Sequence, residues 1–532
     1  MAPRIIKSNV EIKASDIALH KLLIQSCRNH SKNLFLTEYE TGAQFNYEQL
    51  YNDCLSVAGA LNQIGLNVGD IFMVYGFNCY EFVVALLSGL LVGGIGIPMR
   101  GIDTDYELRR EIKSQNVKFL FIGSQMRDLA SSVKADFKQI KRVILFDSIE
   151  SDSMFDTINV MKRSENKLNE SEIYDPKGNR DSIVLIMESS GTSGPAKGAM
   201  LGHYDFATAF QTSSVFFSEL DTAICSSPLA HMTGALQWFH AICCGRHLVS
   251  LRNPTLNNVL DAIKKYEIKR VTLSPSTMNA LNKMEKHIDL STFRVLTAGS
   301  RLPAEVAREF INKYKISQLV NCYGITEAGG SISFNTDVAR NYNSVGKVIA
   351  GVQVKVVNPQ TGALLGENEE GELWVKTYNA FKGYYNNSEL VSSIIDSDGW
   401  IHSGDIGYYD ENEELYVIDR MKDIIKQSGF GYSPVDVEEV LLQHKDVREA
   451  AVVGIPDADE GEISHAFVLL KEGISKGTID EECLKNFVNE RVSALKQIKG
   501  DVHIVNELPK TPLGKILRRK LRSDYLNNYN CI

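Results

Sequence analysis

The sequence has nine cysteines, at 27, 54, 79, 225, 243, 244, 322, 483 and 531, but no C-x-x-C pair among them. An odd count without paired spacing argues against a disulfide framework or a zinc site and for reduced thiols in an intracellular compartment. A long basic block is missing too. Lys and Arg number 57 against 66 Asp and Glu, and the net charge of −9 is spread along the chain. That excludes a nucleic-acid stripe or a polybasic membrane anchor and leaves small molecules as the expected partners. Met1 to Asp16 lacks the apolar stretch of a secretory signal, and Asn530-Cys531-Ile532 matches neither the peroxisomal S-K-L address nor a prenylation box, so the expected location is cytoplasmic. Long hydrophobic runs are scarce. Phe82 to Met99 carries no charge, but Gly89, Gly93, Gly94, Gly96 and Pro98 interrupt it. We read it as a short buried helix followed by a short buried strand, not as a membrane span.

What remains is an ordinary globular composition, 44% hydrophobic and 23% charged over 532 residues, too long for a single core. From Ala18 to Phe146 helical stretches such as Tyr47–Ile64 alternate with β-branched runs at 71–75, 117–122 and 142–146, the rhythm of an α/β fold. Further α/β units follow, with strands expected at 183–187, 223–227, 248–251, 271–273, 295–298 and 319–322. Around Val352 the texture becomes alternating strands with turns at 359–362 and 398–399, which predicts a β-rich subdomain. After Arg420 it changes again: a helix at 434–444, strands at 450–454 and 466–470, a helix at 479–495 and a strand at 502–505 describe a small α+β unit. The expected organisation is α/β: an N-terminal domain over 1–420, with two α/β sheets plus the β-rich subdomain, and a mobile C-terminal domain over 421–532. The joint near Lys422 has no Gly/Ser linker, so motion there is expected to be a defined hinge.

Chemistry is suggested first by the loop Ser189-Ser190-Gly191-Thr192-Ser193-Gly194-Pro195-Ala196-Lys197-Gly198, which follows an apolar strand. Glycines allow close backbone approach, hydroxyls and N–H groups can encircle phosphate oxygens, and Lys197 adds positive charge. Gly198 stands where a Walker loop needs Ser or Thr, so an ordinary P-loop NTPase is not expected. By composition alone the segment also reads as a plain surface loop.

The loop resembles the phosphate-binding signature of the ANL superfamily of adenylate-forming enzymes, which groups acyl-CoA synthetases, nonribosomal peptide adenylation domains and insect luciferases. The remaining family motifs follow in order: Tyr323-Gly324-Ile325-Thr326-Glu327, Ser403-Gly404-Asp405, Asp419-Arg420-Met421-Lys422-Asp423 and Pro512-Leu513-Gly514-Lys515. The resemblance covers nearly the whole chain and is strongest to the insect acyl-CoA synthetase and luciferase branch, dipteran glow-worm luciferases included. It implies ATP-dependent adenylation of a carboxylic acid, with Mg²⁺ as cofactor, followed by transfer to CoA. The alternative is oxidation of the adenylate by O₂ with emission of light, and a third reading is an inactive binding relative. No Ser-His-Asp set is required, which agrees with the absence of a nucleophile elbow.

Residue by residue, the resemblance implies that Thr326 bonds the α-phosphate, Glu327 holds Mg²⁺, and Tyr323 lies against the adenine opposite Ala298-Gly299-Ser300-Arg301. Asp405 would accept the ribose hydroxyls and Arg420 would be its ribose or phosphate partner. Lys515 would reach the attacking carboxylate and the α-phosphate. His231 corresponds to the position beside the carboxylate pocket, and its switchable charge suits that role. Gly329 and Gly330 would leave room for a bulky or long acyl group. Ser428 and Gly429 match the segment that admits the pantetheine thiol; Ser428 stands where beetle luciferases carry a lysine, so the pattern favours CoA ligation. Each has a plainer reading: a helix cap for Thr326-Glu327, a turn for Ser-Gly-Asp, a core residue for His231, a solvated lysine for Lys515. Lys510, Arg518, Arg519 and Lys520 are expected to be solvated charges.

Overall fold

The structure is a computed structural model that describes residues 4–101, 105–146, 154–189, 197–213, 221–284, 289–427, 430–457, 460–474, 479–492, 496–510 and 516–529. Four sheets organise them. In the first, strands Ile183–Ser189, Ile95–Arg100, Ile71–Gly76, Phe119–Gly123, Arg142–Phe146 and Asp156–Thr157 lie parallel, with Lys197–Gly202 added antiparallel at one edge. All six residues of Ile71–Gly76 are buried, as expected for a parallel strand covered on both faces.

The charge-free segment gives helix Tyr80–Leu91 and strand Ile95–Arg100. Every residue of that helix is buried, so it needs no polar face, and no helix among the described residues is long and apolar enough to cross a membrane. Gly89 and Gly96 sit against Phe72, where an added Cβ would come within 2.4 Å and 3.1 Å of the ring. They are there for packing.

The second sheet has nine strands. At its centre Ala223–Cys225, Arg270–Thr272, Arg294–Thr297 and Gln318–Ile325 run parallel, and Gly330–Asn335 returns antiparallel beside the last. The third is antiparallel, in the order Ile6–Lys7, Val352–Val357, Gly371–Thr377, Ile401–Tyr409, Leu415–Arg420. Ile401–Tyr409 alternates buried and half-buried residues throughout, the period-two pattern of a sheet with unequal faces. The fourth sheet pairs Val447–Asp457 with Gly461–Leu470 and adds Ile425–Gln427, Phe430–Tyr432 and Val502–Ile504. It packs on helix Pro434–Leu442 around a separate core containing Val437, Leu441, Val452 and Val468. The chain is thus α/β, with a large N-terminal domain of three sheets and a smaller C-terminal domain.

Most expected elements are found within a few residues. The helix expected over 479–495 spans only Glu481–Asn489, started by Asp480 through its bond from the Glu482 N–H at 3.2 Å.

Arg518, expected to be a solvated charge, is not one. Its guanidinium donates to both oxygens of Glu438, at 3.0 Å and 2.7 Å, with side chains 14% and 8% exposed. Glu438 Oε1 also accepts from the backbone N–H of Val452 at 2.7 Å. Lys510 pairs with Glu449. Arg518→Ala would strand a buried carboxylate, and removing one partner of such a pair costs about 3–5 kcal/mol. We expect C-terminal domain unfolding, followed by hydrogen exchange at Val452, to become easier by that amount, with Arg518→Lys intermediate.

Candidate active site

Three of the sheets end at one place. Strand Ile183–Ser189 delivers Ser189, the following edge strand begins at Lys197, and strand Gln318–Ile325 ends where Thr326 and Glu327 begin a single 3₁₀ turn. Ser189 Oγ donates to Glu327 Oε1 at 2.6 Å, and Tyr384 O–H donates to the same oxygen at 2.5 Å. Burial, and after it the Glu327 carboxylate, pushes the Tyr384 pKa up, so the phenol remains a donor.

Tyr384 is a site residue that sequence reasoning missed. It arrives because segment 382–385 pairs with the edge strand: Met200 N–H donates to Gly383 C=O at 2.9 Å, Lys382 N–H to Met200 C=O at 2.7 Å, and Tyr385 N–H to Gly198 C=O at 2.9 Å. Lys197 Nζ lies 5.2 Å from the Tyr384 ring centroid. Nothing in Lys382-Gly383-Tyr384-Tyr385 separates one tyrosine from the other; only the long-range pairing does.

Both hydrogen bonds to Glu327 fall on Oε1, and among the described residues none falls on Oε2. A half-satisfied carboxylate beside a cation and hydroxyls is the donor set that magnesium takes when phosphate oxygens and water complete its shell. The residues present therefore fit that ion.

Across the cleft, Tyr323 O–H donates to Asp405 Oδ2 at 2.6 Å and Arg420 Nε contacts Asp405 Oδ1 at 2.7 Å. Arg420 also donates to Ser403 C=O at 3.1 Å. Both Asp405 oxygens are thus engaged, and a ribose hydroxyl there must share or displace a donor. Burial alone would lower the Arg420 pKa, but Asp405, Tyr323 and Glu327 outweigh it and raise it. Sequence reasoning also missed Glu372, which accepts from the Gly404 N–H at 3.0 Å and from Trp374 Nε1–H at 2.8 Å. Gly404 needs its φ of +68° to make this turn.

A cavity of about 500 Å³ is lined by Ser189, Lys197, His231, Thr326, Glu327, Gly330, Arg420 and Lys422. A second, of about 270 Å³, is lined by Gly299, Ser300, Arg301, Tyr323 and Asp405 together with Glu438, Ile516 and Arg518 of the C-terminal domain. Arg301 spends its guanidinium on Ile418 C=O at 3.3 Å, Asp436 at 3.7 Å and Glu439 at 3.5 Å, so it links the two domains.

Gly330 lines the larger cavity, and a Cβ on it would meet Leu236 Cδ1 at 2.7 Å. Gly329 differs from expectation. At φ +67° it closes the turn after Ala328, and a Cβ would lie 2.2 Å from Asn379 C=O; its role is backbone geometry, not acyl space. Ser190, Gly191, Thr192, Ser193, Gly194, Ser428, Gly429 and Lys515 lie outside the described residues. The base of the Lys515 segment does not: Lys510 bridges Ile516, Leu517 N–H donates to Pro509 C=O at 2.8 Å, and Ile516 lines the second cavity.

His231 caps helix Met232–Cys244, its Nδ1 accepting from the Thr233 N–H at 3.3 Å. Burial, helped by Arg100, lowers its pKa to about 4. The side chain is therefore a neutral imidazole that keeps Nε2–H as a donor, and the expectation of a switchable charge is corrected. Burial likewise lowers His20 and His465 to about 4 and His203 and His240 to about 3. Unfolded histidines titrate near 6.5, so between those values and 6.5 the unfolded chain binds more protons and stability rises with pH. Thermal unfolding from pH 7 to 3 should show the loss beginning near 6.5 and still growing at pH 3, with on the order of 3–5 kcal/mol per histidine once it is complete.

Comparison with known proteins adds the following. Residues 23–385 match the AMP-binding enzyme family and residues 436–515 match the AMP-binding enzyme C-terminal domain. The chain is 31% identical over 518 residues to a peroxisomal OPC-8:0-CoA ligase of Arabidopsis thaliana, covering 93% of this chain and 91% of that one. It is 30% identical over 499 residues to a luciferin 4-monooxygenase of Photuris pensylvanica, covering 92% and 91%. Its fold matches that of ATP-bound MatB from Rhodopseudomonas palustris, with a TM-score of 0.86 at 24% identity, covering 96% and 100%.

Proposed function

Since the chain belongs to the AMP-binding enzyme family of adenylate-forming enzymes, we propose that it uses ATP to convert a carboxylic acid into an acyl-adenylate and then transfers the acyl group to CoA. The carrying observation is Glu327: one oxygen is fixed by Ser189 and Tyr384, and the residue lines the larger cavity together with Thr326 and Lys197.

In the first half-reaction a carboxylate oxygen attacks the α-phosphorus and pyrophosphate leaves. Such a step needs positioning and charge neutralisation, not a protein nucleophile. The loop 189–198, which carries Lys197, holds the phosphates, and Thr326 bonds the α-phosphate. Glu327 holds Mg²⁺, which supplies charge neutralisation on the phosphate oxygens when bound. Tyr323 and the segment 298–301 bracket the adenine, while Asp405 and Arg420 take the ribose. His231, neutral, donates Nε2–H beside the attacking carboxylate, and Lys515 stabilises the charge that develops.

For the second half-reaction the domain over 421–532 turns on the hinge at Lys422, withdrawing Lys515 and presenting Ser428-Gly429. Ser428 in place of the beetle lysine favours a thioester product. The similarity to a luciferin 4-monooxygenase keeps light-emitting oxidation by O₂ as the second reading. Gly429→Leu separates the steps, because a side chain placed where only hydrogen fits blocks close passage of the thiol. We expect the variant to keep acid-dependent pyrophosphate release while thioester formation falls about 10²-fold or more, a loss of roughly 3 kcal/mol in the second step. If wild-type protein makes no thioester from any acid and emits light in O₂, the ligase reading fails and the oxidative one replaces it.

A further inference from the structure

Arg301 stands on the loop between strand Arg294–Thr297 and helix Ala304–Tyr314, directly after Gly299 and Ser300. All three residues line the cavity that also holds Tyr323 and Asp405. The guanidinium of Arg301 has partners on both sides of the proposed hinge at Lys422. Before the hinge, Nη1 donates to Ile418 C=O at 3.3 Å, in strand Leu415–Arg420. After it, Nη1 lies 3.7 Å from Asp436 Oδ1 and Nη2 lies 3.5 Å from Glu439 Oε1.

Asp436 and Glu439 are three residues apart on helix Pro434–Leu442, so they share one helical face. Asp436 also pairs with Lys496 of its own domain at 2.7 Å. Burial raises the Glu439 pKa, and Arg301 is the charge that opposes it. A second cation crosses in the same direction: Lys283, the C-cap of helix Pro275–Asn282, donates from Nζ to Arg448 C=O in strand Val447–Asp457. Helix Pro275–Asn282 packs on helix Ala304–Tyr314, so both ties leave the N-terminal domain from neighbouring elements.

A turn about Lys422 moves positions 436 and 439 relative to 418, and one guanidinium cannot follow both. The contacts to the two carboxylates are the ones that give way. They are charge contacts longer than a good hydrogen bond, between side chains 28%, 28% and 29% exposed, and ion pairs so open to solvent are each worth up to about fivefold in an equilibrium. A tie of that strength biases an arrangement and still releases it in each turnover. The enclosed pair of Arg518 with Glu438, 14% and 8% exposed, would not release so readily.

We propose that Arg301 is a positioning residue that ties the two domains in the arrangement used for adenylation, and that Asp436 and Glu439 are the groups it lets go when the C-terminal domain turns for the second half-reaction. In the tied arrangement Ile516, the residue after Lys515, lines the cavity with Tyr323 and Asp405. The inference rests on the two-step reading of the site and its hinge at Lys422.

The test measures the half-reactions separately, with decanoate and with cinnamate: acid-dependent pyrophosphate release, and thioester formation from the synthetic acyl-adenylate and CoA. Asp436→Asn combined with Glu439→Gln keeps the shapes and removes both charges. Pyrophosphate release should fall about 5–10-fold, the worth of two such pairs, while thioester formation from supplied adenylate is unchanged or faster, which also reports that the variant is folded. Arg301→Glu should lower pyrophosphate release further, and adding Glu439→Arg to it should restore most of the loss, a rescue that a defect confined to nucleotide binding would not show. Unchanged pyrophosphate release in the Asp436→Asn, Glu439→Gln variant, an equal loss in both half-reactions, or a loss in Arg301→Glu that the added Glu439→Arg does not restore overturns the proposal and leaves adenylation standing. A wild type that releases no pyrophosphate with any acid overturns both.

Discussion

Lys515→Ala should abolish most acyl-adenylate formation and leave the second half-reaction intact when synthetic acyl-adenylate is supplied. Two prolines, Pro509 and Pro512, restrict φ in the stretch that carries the lysine. Its base is tied by the Lys510 to Ile516 bridge and by Leu517 to Pro509. Ile516, the residue that follows Lys515 in the chain, lines the cavity that holds Tyr323 and Asp405. A preorganised cation aimed at developing charge is worth about 10²–10³ in rate. Single-turnover measurements of the two half-reactions on one variant check this. Equal loss in both would move Lys515 out of the charge-stabilising role and into folding or domain closure.

The other large effect is expected at Glu327. Glu327→Gln keeps the shape and one acceptor for Ser189 and Tyr384, but replaces a hard anionic ligand by a neutral amide. We expect about a 10²-fold fall in adenylation at low Mg²⁺, a loss of roughly 3 kcal/mol, partly recovered as Mg²⁺ is raised. Tyr384→Phe removes only the 2.5 Å bond and should leave the Mg²⁺ dependence nearly unchanged while lowering rate modestly. The two variants together separate metal holding from carboxylate positioning. A Glu327→Gln enzyme with the Mg²⁺ dependence of wild type would remove Glu327 from the metal site.

The sequence made the layout legible where chemistry and local pattern coincide. Thr326 and Glu327 are announced by the Tyr-Gly pair before them, and strand 142–146 has the bounds its β-branched run implies. What stayed hidden depends on contacts between distant segments. Tyr384 reaches Glu327 only because segment 382–385 joins a strand nearly two hundred residues earlier in the chain, at 197–202. Arg518 sits in a basic run that reads as surface, and only the position of Glu438 on helix Pro434–Leu442 makes it a buried partner. His231 was legible as a position but not as a neutral group, because its charge is set by enclosure. Gly329 and Gly330 look alike in sequence, yet one faces Asn379 backbone and the other Leu236. Arg246 and Arg270 carry no motif at all, and only the fold brings them to one cavity.

The central claim is activation of a carboxylic acid at the α-phosphorus of ATP. Isotope exchange between pyrophosphate and ATP, measured across a panel of mono- and dicarboxylic acids with Mg²⁺ and without CoA, tests it most directly. The account predicts exchange that appears only when an acid is present, yields AMP and not ADP on turnover, and is lost in Lys515→Ala. Exchange independent of acid, or cleavage of ATP to ADP and phosphate, would contradict it.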